Sequence, residues 1–195
     1  MNILYASNDG FARHLGTSMY SLFDKNRGVK AITVYVLSLG LSEENIGKLQ
    51  TIANIFNREL VILELGDIRK KFDFDVDTGG YDISIMGRLF MGEMLPEHVD
   101  RVLYLDCDTV IVRSIENMWK EPLGGAILGA VMEPTIYEAV KESIGLEIDD
   151  GYYNSGVLLV DLKRWREERI QEKLMQFLKE KGGTGVDIIV NKKIP

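Results

Sequence analysis

Short runs of continuous apolar residues alternate along this chain with stretches in which apolar residues return every three or four positions. Residues 3–6 form the first run and give way to polar Ser7, Asn8 and Asp9, as a strand buried on both faces should. Phe11, Leu15, Met19, Leu22 and Phe23 then recur at helical spacing, up to a loop at Asn26, Arg27 and Gly28. The β-branched stretch 32–37 reads as a second strand. Ser42 is an N-cap candidate, with Glu43 and Glu44 in the first turn, where carboxylates suit the helix dipole. Ile46, Leu49, Ala53 and Phe56 make that helix's apolar stripe, and residues 60–63 a third strand.

Residues 66–82 are polar, contain Gly79 and Gly80, and read as a surface loop of the length that is often functional. A helix through Ile85, Leu89 and Met94 stops near Pro96. Residues 102–105 form a strand that runs out into Asp106, Cys107 and Asp108, and residues 109–112 form a further extended piece. Two more strands are expected at 126–131 and 156–160. Asp161 is placed to cap one long charged helix reaching about Lys181. This order predicts an α/β fold in one domain, residues 1–195, with a mostly parallel central sheet and helices on both faces. Such sheets bind ligands beyond the carboxyl ends of their strands, where the strand order switches.

Composition narrows the partners. The chain carries 23 Lys and Arg against 30 Asp and Glu, a net charge of −7, so it lacks the basic footprint that nucleic acid requires. Its one cysteine, Cys107, permits no internal disulfide and fits a reducing compartment. The first residues show no basic segment followed by an apolar run, and nowhere do about 18 apolar residues follow one another. A soluble, cytoplasmic protein without a transmembrane segment is expected.

Asp106 and Asp108 are the leading chemical candidates. They flank one residue where a buried strand ends, and carboxylate oxygens are the ligands hard divalent cations such as Mg²⁺ or Mn²⁺ prefer. Two close carboxylates repel, and a bound cation relieves that. The cation can then bridge a nucleotide's phosphates and neutralise a departing diphosphate. For an isolated Asp-x-Asp, an acidic turn with one Asp capping local amides is the simpler reading. The flanking apolar strand residues favour a site.

The end of the first strand offers small and amide-bearing residues beside Asp9, although Asn8 or Asp9 also suits a helix N-cap. Arg88 presents a fixed fork of donors for phosphate or sugar hydroxyls, against a solvated helix charge as the alternative. Ser84 lies one turn earlier. Asn154 offers both a donor and an acceptor next to a strand. Tyr152 and Tyr153 suit a sugar face or, more commonly, core packing. His14 and His98 read as solvated, and Cys107 as a small buried spacer.

Four blocks, in order, give the chain a resemblance. They are Ile3 to Asp9, Ile83 to Leu89, Arg101 to Asp108 (Arg-Val-Leu-Tyr-Leu-Asp-Cys-Asp), and Tyr153 to Leu159 with Lys163, Arg164 and Trp165 after it. The chain resembles the glycosyltransferases of family eight, which include bacterial lipopolysaccharide galactosyl- and glucosyltransferases and glycogenin. The resemblance implies a GT-A fold, a UDP-hexose donor, a saccharide acceptor, Mn²⁺ as the usual metal, and transfer with retention at the anomeric carbon. It assigns Asp106 and Asp108 to the metal, and Ala6, Ser7 and Asp9 to the uridine pocket. Ser84, Arg88 and Cys107 fall to the donor, and Asn154 to the transferred sugar.

Two departures follow. Where the family carries Asp-Gln-Asp near the reacting carbon, this chain reads Gly185, Val186 and Asp187, which leaves Asp187 as the candidate there. Family members also continue past the point matching Pro195, adding a His for the metal and a Lys for the diphosphate. The expectation is a catalytic domain lacking its C-terminal part, to which any peripheral membrane contact would belong. Two other readings stay open. One is a nucleotide-sugar-binding protein without turnover. The other is a nucleotidyltransferase, which would want a glycine-rich basic loop after the first strand in place of Asn8-Asp9-Gly10.

Overall fold

Among the described residues, six strands share one sheet in the order β3-β2-β1-β4-β6-β5. They are β1 (Asn2–Ser7), β2 (Thr33–Ser38), β3 (Glu59–Glu64), β4 (Arg101–Leu105), β5 (Leu128–Met132) and β6 (Tyr153–Asp161). The structure is a computed structural model that describes residues 1–133, 141–142 and 146–180. β1 pairs in parallel with β2 and β4, and β2 with β3, while β6 runs antiparallel to both β4 and β5. Helices α1 (Ala12–Lys25) and α2 (Glu43–Ile55) make the crossovers that carry the chain outward from β1 to β3. The chain then returns to lay β4 on the other side of β1. The order therefore switches between β1 and β4, and a crevice opens beyond their carboxyl ends.

Alternation along the strands divides the core in two. Ile3, Tyr5, Val34, Val36, Leu103 and Leu105 pack with Leu15, Met19, Leu22 and Leu49 of α1 and α2. Leu4, Ala6, Tyr35, Tyr104, Leu158 and Val160 face Leu89, Phe90 and Trp165 on the other side. Each fully buried aliphatic contributes about 1.5–3 kcal/mol of transfer free energy as an upper bound. The expected caps form: Ser42 accepts from the Asn45 amide and Asp161 from the Arg164 amide.

Four segments depart from the sequence reading. The helix after Asp161 is two helices, α5 (Leu162–Glu167) and α6 (Ile170–Glu180), broken at Arg169, whose φ is +54°. The apolar stripe steps five residues from Trp165 to Ile170, and the break restores its phase toward the core. The helix before Pro96 is a 3₁₀ turn over Ile83–Phe90 followed by the short α3 (Met91–Met94). Residues 109–112 form no strand, and α4 (Glu116–Lys120) follows them. The loop at 66–82 is anchored by a 3₁₀ turn, Ile68–Lys71, with Ile68 and Phe72 buried. Among the described residues, no helix is long and apolar enough to cross a membrane.

Candidate active site

A cleft of about 290 Å³ opens at the switch point. It is lined from β1 by Ala6, from the end of β4 by Tyr104, Asp106, Cys107 and Asp108, from the 3₁₀ helix by Ser84 and Arg88, and from β6 by Asn154 and Gly156. Its volume sits at the lower end of small-molecule sites. The 3₁₀ helix reaches the β1 end because Gly87 has no side chain: a Cβ there would come within 2.9 Å of the Ala6 Cβ. That contact sets Arg88 over the sheet.

Arg88 is buried, and each of its three nitrogens has a partner. Its Nε donates to the Ile85 carbonyl at 2.8 Å, and Nη1 donates to the Ser155 carbonyl. Nη2 lies 3.3 Å from Asp106 Oδ1, and the guanidinium stacks 4.8 Å from the Tyr104 ring centroid. Tyr104 donates to the same Asp106 Oδ1 at 2.6 Å. Burial raises the Tyr104 phenol well above its ordinary pKa, so it stays a donor. Asp106 follows β4 directly, two residues after Tyr104, and the bond between their side chains places both on one face. The Asp106 amide donates to the Gly156 carbonyl at 2.8 Å, tying β4 to β6.

Gly156 answers a steric demand. A Cβ there would lie 2.6 Å from Asp106 Oδ2. Its amide donates to Asn154 Oδ1 at 2.7 Å, so the Asn154 side chain is oriented by its own strand, and among the described residues its amide donors are not taken.

The second Asp106 oxygen, Oδ2, and the whole Asp108 carboxylate make no hydrogen bond or ion pair with the described residues. Asp106 is 36% exposed at its side chain. Among the described residues no group of three or more His, Cys, Asp or Glu side chains comes together. The donor set is thus two carboxylates on one open cleft. Carboxylate oxygens of this kind are the donors that a hard divalent cation would take.

The remaining candidates divide. Ser84 and Ala6 line the cleft; Ser84 also bonds to Asp82, whose carboxyl these bonds hold below the ordinary carboxylate range. Ser7 is buried beneath the floor and donates to the Asn8 carbonyl. Asp9 faces away: its carboxylate accepts from the Ser42 amide at 2.7 Å and from Asn45 Nδ2 at 2.8 Å, and those bonds lower its pKa. Asn8, rather than Asp9, caps the turn that starts α1, accepting from the Phe11 amide. Cys107 donates its thiol to the Ala6 carbonyl, and burial pushes it up to about 12, which leaves a spacer and no nucleophile. His14 packs against Phe11, outside the cleft, and His98 is exposed. Asp187 lies outside the described residues. Sequence reasoning missed Tyr104, Asp82 and Gly156 as cleft residues. The two-residue strand period pointed to Tyr104, but no local signal pointed to Gly156, whose role depends on a neighbouring strand.

A family model described as Glycosyl transferase family 8 matches residues 2–188. General stress protein A of Bacillus subtilis is 25% identical over 181 residues, 92% of this chain and 62% of that protein. The lipopolysaccharide 1,2-glucosyltransferase of Escherichia coli is 28% identical over 184 residues, 93% of this chain and 53% of its own length. The chain therefore spans 53% to 62% of these two relatives. A crystal structure of the galactosyltransferase LgtC with donor and acceptor sugar analogs superposes with a TM-score of 0.83 at 26% identity, covering 98% of this chain and 69% of that one.

Proposed function

Since this chain belongs to glycosyl transferase family 8 and has the GT-A architecture, we propose that it moves a hexose, galactose or glucose, from a UDP-sugar to a hydroxyl of a saccharide or lipopolysaccharide acceptor, with retention at the anomeric carbon. The observation that carries the reading is Asp106 and Asp108 sharing one cleft with Arg88 and Asn154 at the strand-order switch. Asp106 Oδ2 and Asp108 are the groups that would hold Mn²⁺ or Mg²⁺, which when bound supplies Lewis-acid stabilisation of the leaving diphosphate.

The protein's own groups do the rest. Arg88 and Tyr104 fix Asp106 through Oδ1 and leave Oδ2 toward the cleft. The side-chain amide of Asn154, not taken among the described residues, is a donor for a hydroxyl of the transferred sugar. Asp82 is engaged by Ser84, and Asp106 and Asp108 are assigned to the cation, so among the described cleft residues no carboxylate is left for the role of nucleophile. The reading accordingly takes attack by the acceptor hydroxyl from the leaving-group face, without a covalent intermediate. Cytoplasmic placement belongs to the same reading and rests on the single free cysteine.

Binding without turnover is the second reading, favoured by Gly185 and Val186 in the sequence where the family pattern has Asp and Gln. Calorimetric titration with UDP, with and without Mn²⁺, together with hydrolysis and transfer assays on UDP-glucose and UDP-galactose, separates the two. Metal-dependent binding with transfer supports the first, and binding alone supports the second. A product of inverted anomeric configuration contradicts the stereochemistry.

A further inference from the structure

On the sheet face opposite the cleft, a line of hydroxyl groups ends at the Asp106 main chain. The Tyr5 phenol lies 2.9 Å from Ser18 Oγ, and Ser18 Oγ lies 3.0 Å from Thr109 Oγ1. Thr109 Oγ1 donates to the Asp106 carbonyl at 2.8 Å. Tyr5 and Ser18 are fully buried. A carbonyl only accepts, so the Thr109 proton is committed there. Ser18 must then donate to Thr109, and Tyr5 to Ser18. The line therefore has one direction, and burial of Tyr5 raises its pKa, so it keeps the proton it donates.

The Thr109 amide donates to the same carbonyl at 3.2 Å and closes the turn that bears Asp108. Further along, Ser21 Oγ accepts from the Ile111 amide, and Asn26 Oδ1 accepts from the Ser114 hydroxyl and the Ile115 amide. Polar side chains of α1 and its C-terminal cap thus hold the segment that leaves β4, in place of a neighbouring strand. Neither Tyr5, Ser18 nor Thr109 lines the cleft.

We propose that Tyr5, Ser18 and Thr109 are positioning residues for the cation site of Asp106 and Asp108. They set its affinity through the Asp106 carbonyl without touching the ligand. The inference rests on the glycosyl-transfer reading above. Two like charges splay unless the backbone between them is fixed, and this line fixes it at a buried anchor. Groups behind the ligands commonly control affinity in this way.

The test uses the full chain and two probes, Mn²⁺ alone, followed by the paramagnetic signal of the free ion, and UDP in the presence of Mn²⁺, followed by calorimetry. Thr109→Val keeps the side-chain shape, loses both hydroxyl bonds, and is expected to weaken Mn²⁺ binding about tenfold or more. Thr109→Ser, which keeps the hydroxyl, is expected to stay within about threefold of the parent on the same scale. Ser18→Ala follows with a smaller loss, and it carries the test if Thr109→Val does not fold. Parental Mn²⁺ affinity in a folded Thr109→Val, or in Ser18→Ala where that variant does not fold, overturns the inference, as does equal loss in Thr109→Val and Thr109→Ser. Asp108→Ala runs beside them. Should it retain metal-dependent UDP binding, the transferase reading fails and takes the inference with it. Should it lose that binding while the hydroxyl variants keep it, only the inference falls.

Discussion

Two acidic turns end two neighbouring parallel strands, and they meet different fates. Beyond β1, Asn8 and Asp9 are claimed by backbone amides: Asn8 by Phe11, and Asp9 by Ser42 at the start of α2. Beyond β4, no helix begins at once, and Asp108 faces the cleft with no partner among the described residues. An aspartate at one strand end is spent tying that end to the start of α2, and an aspartate at the neighbouring strand end is left as an available ligand. What decides is whether an unsatisfied amide lies within reach.

The largest break of this comparison should come from Asp108→Ala, expected to lower metal-dependent UDP affinity by about two orders of magnitude, the upper range for metal-site changes. Calorimetry with and without Mn²⁺ reads it. Next comes Gly156→Ala, which drives a Cβ into Asp106 Oδ2. Overpacking of this kind costs roughly 1–3 kcal/mol in denaturant unfolding, and the displaced carboxylate should weaken Mn²⁺ binding as well. A destabilised variant that still bound Mn²⁺ normally would show that Asp106 Oδ2 is not a ligand.

Asp9→Ala should do least to ligand binding, leaving metal-dependent UDP affinity within about twofold and lowering the melting temperature by a few degrees through loss of its bonds to Ser42 and Asn45. Its pH dependence has a definite sign. Hydrogen bonds from Ser42 and Asn45 hold the Asp9 carboxyl below its ordinary 3.8. The stability it contributes is complete above that value and disappears as pH falls through the lower folded value. The melting temperatures of parent and variant should therefore converge below about pH 4. A large loss of UDP affinity in Asp9→Ala would return this residue to the donor site.

The parallel half was legible because each of its elements is fixed locally. Residues 3–6 and 32–37 are apolar enough to be buried on both faces, and Ser42 with Glu43 and Glu44 marks a helix start by its own chemistry. The cap at Asp161 was equally local. Residues 109–112 misled because β-branched composition reports fitness for a strand, not the presence of a partner strand. Their neighbours are Ser18 and Ser21 of α1, 91 residues before Thr109 and 90 before Ile111. Asp106 and Asp108 could be found by spacing, and Arg88 by its motif. That Arg88 serves Asp106 directly, and that Gly156 makes room for it, depend on contacts between distant segments.

The meeting of Gly87 with Ala6 has a consequence for how this cleft can diverge. Both positions are already near the smallest side chains available, and any growth at Gly87 collides with a wall that cannot retreat into the sheet. Variation that retunes ligand choice is therefore channelled to the rim, where Phe11 and Tyr81 stand 41% and 69% exposed and tolerate exchange. A library aimed at new donors should randomise those two aromatics and leave the floor alone.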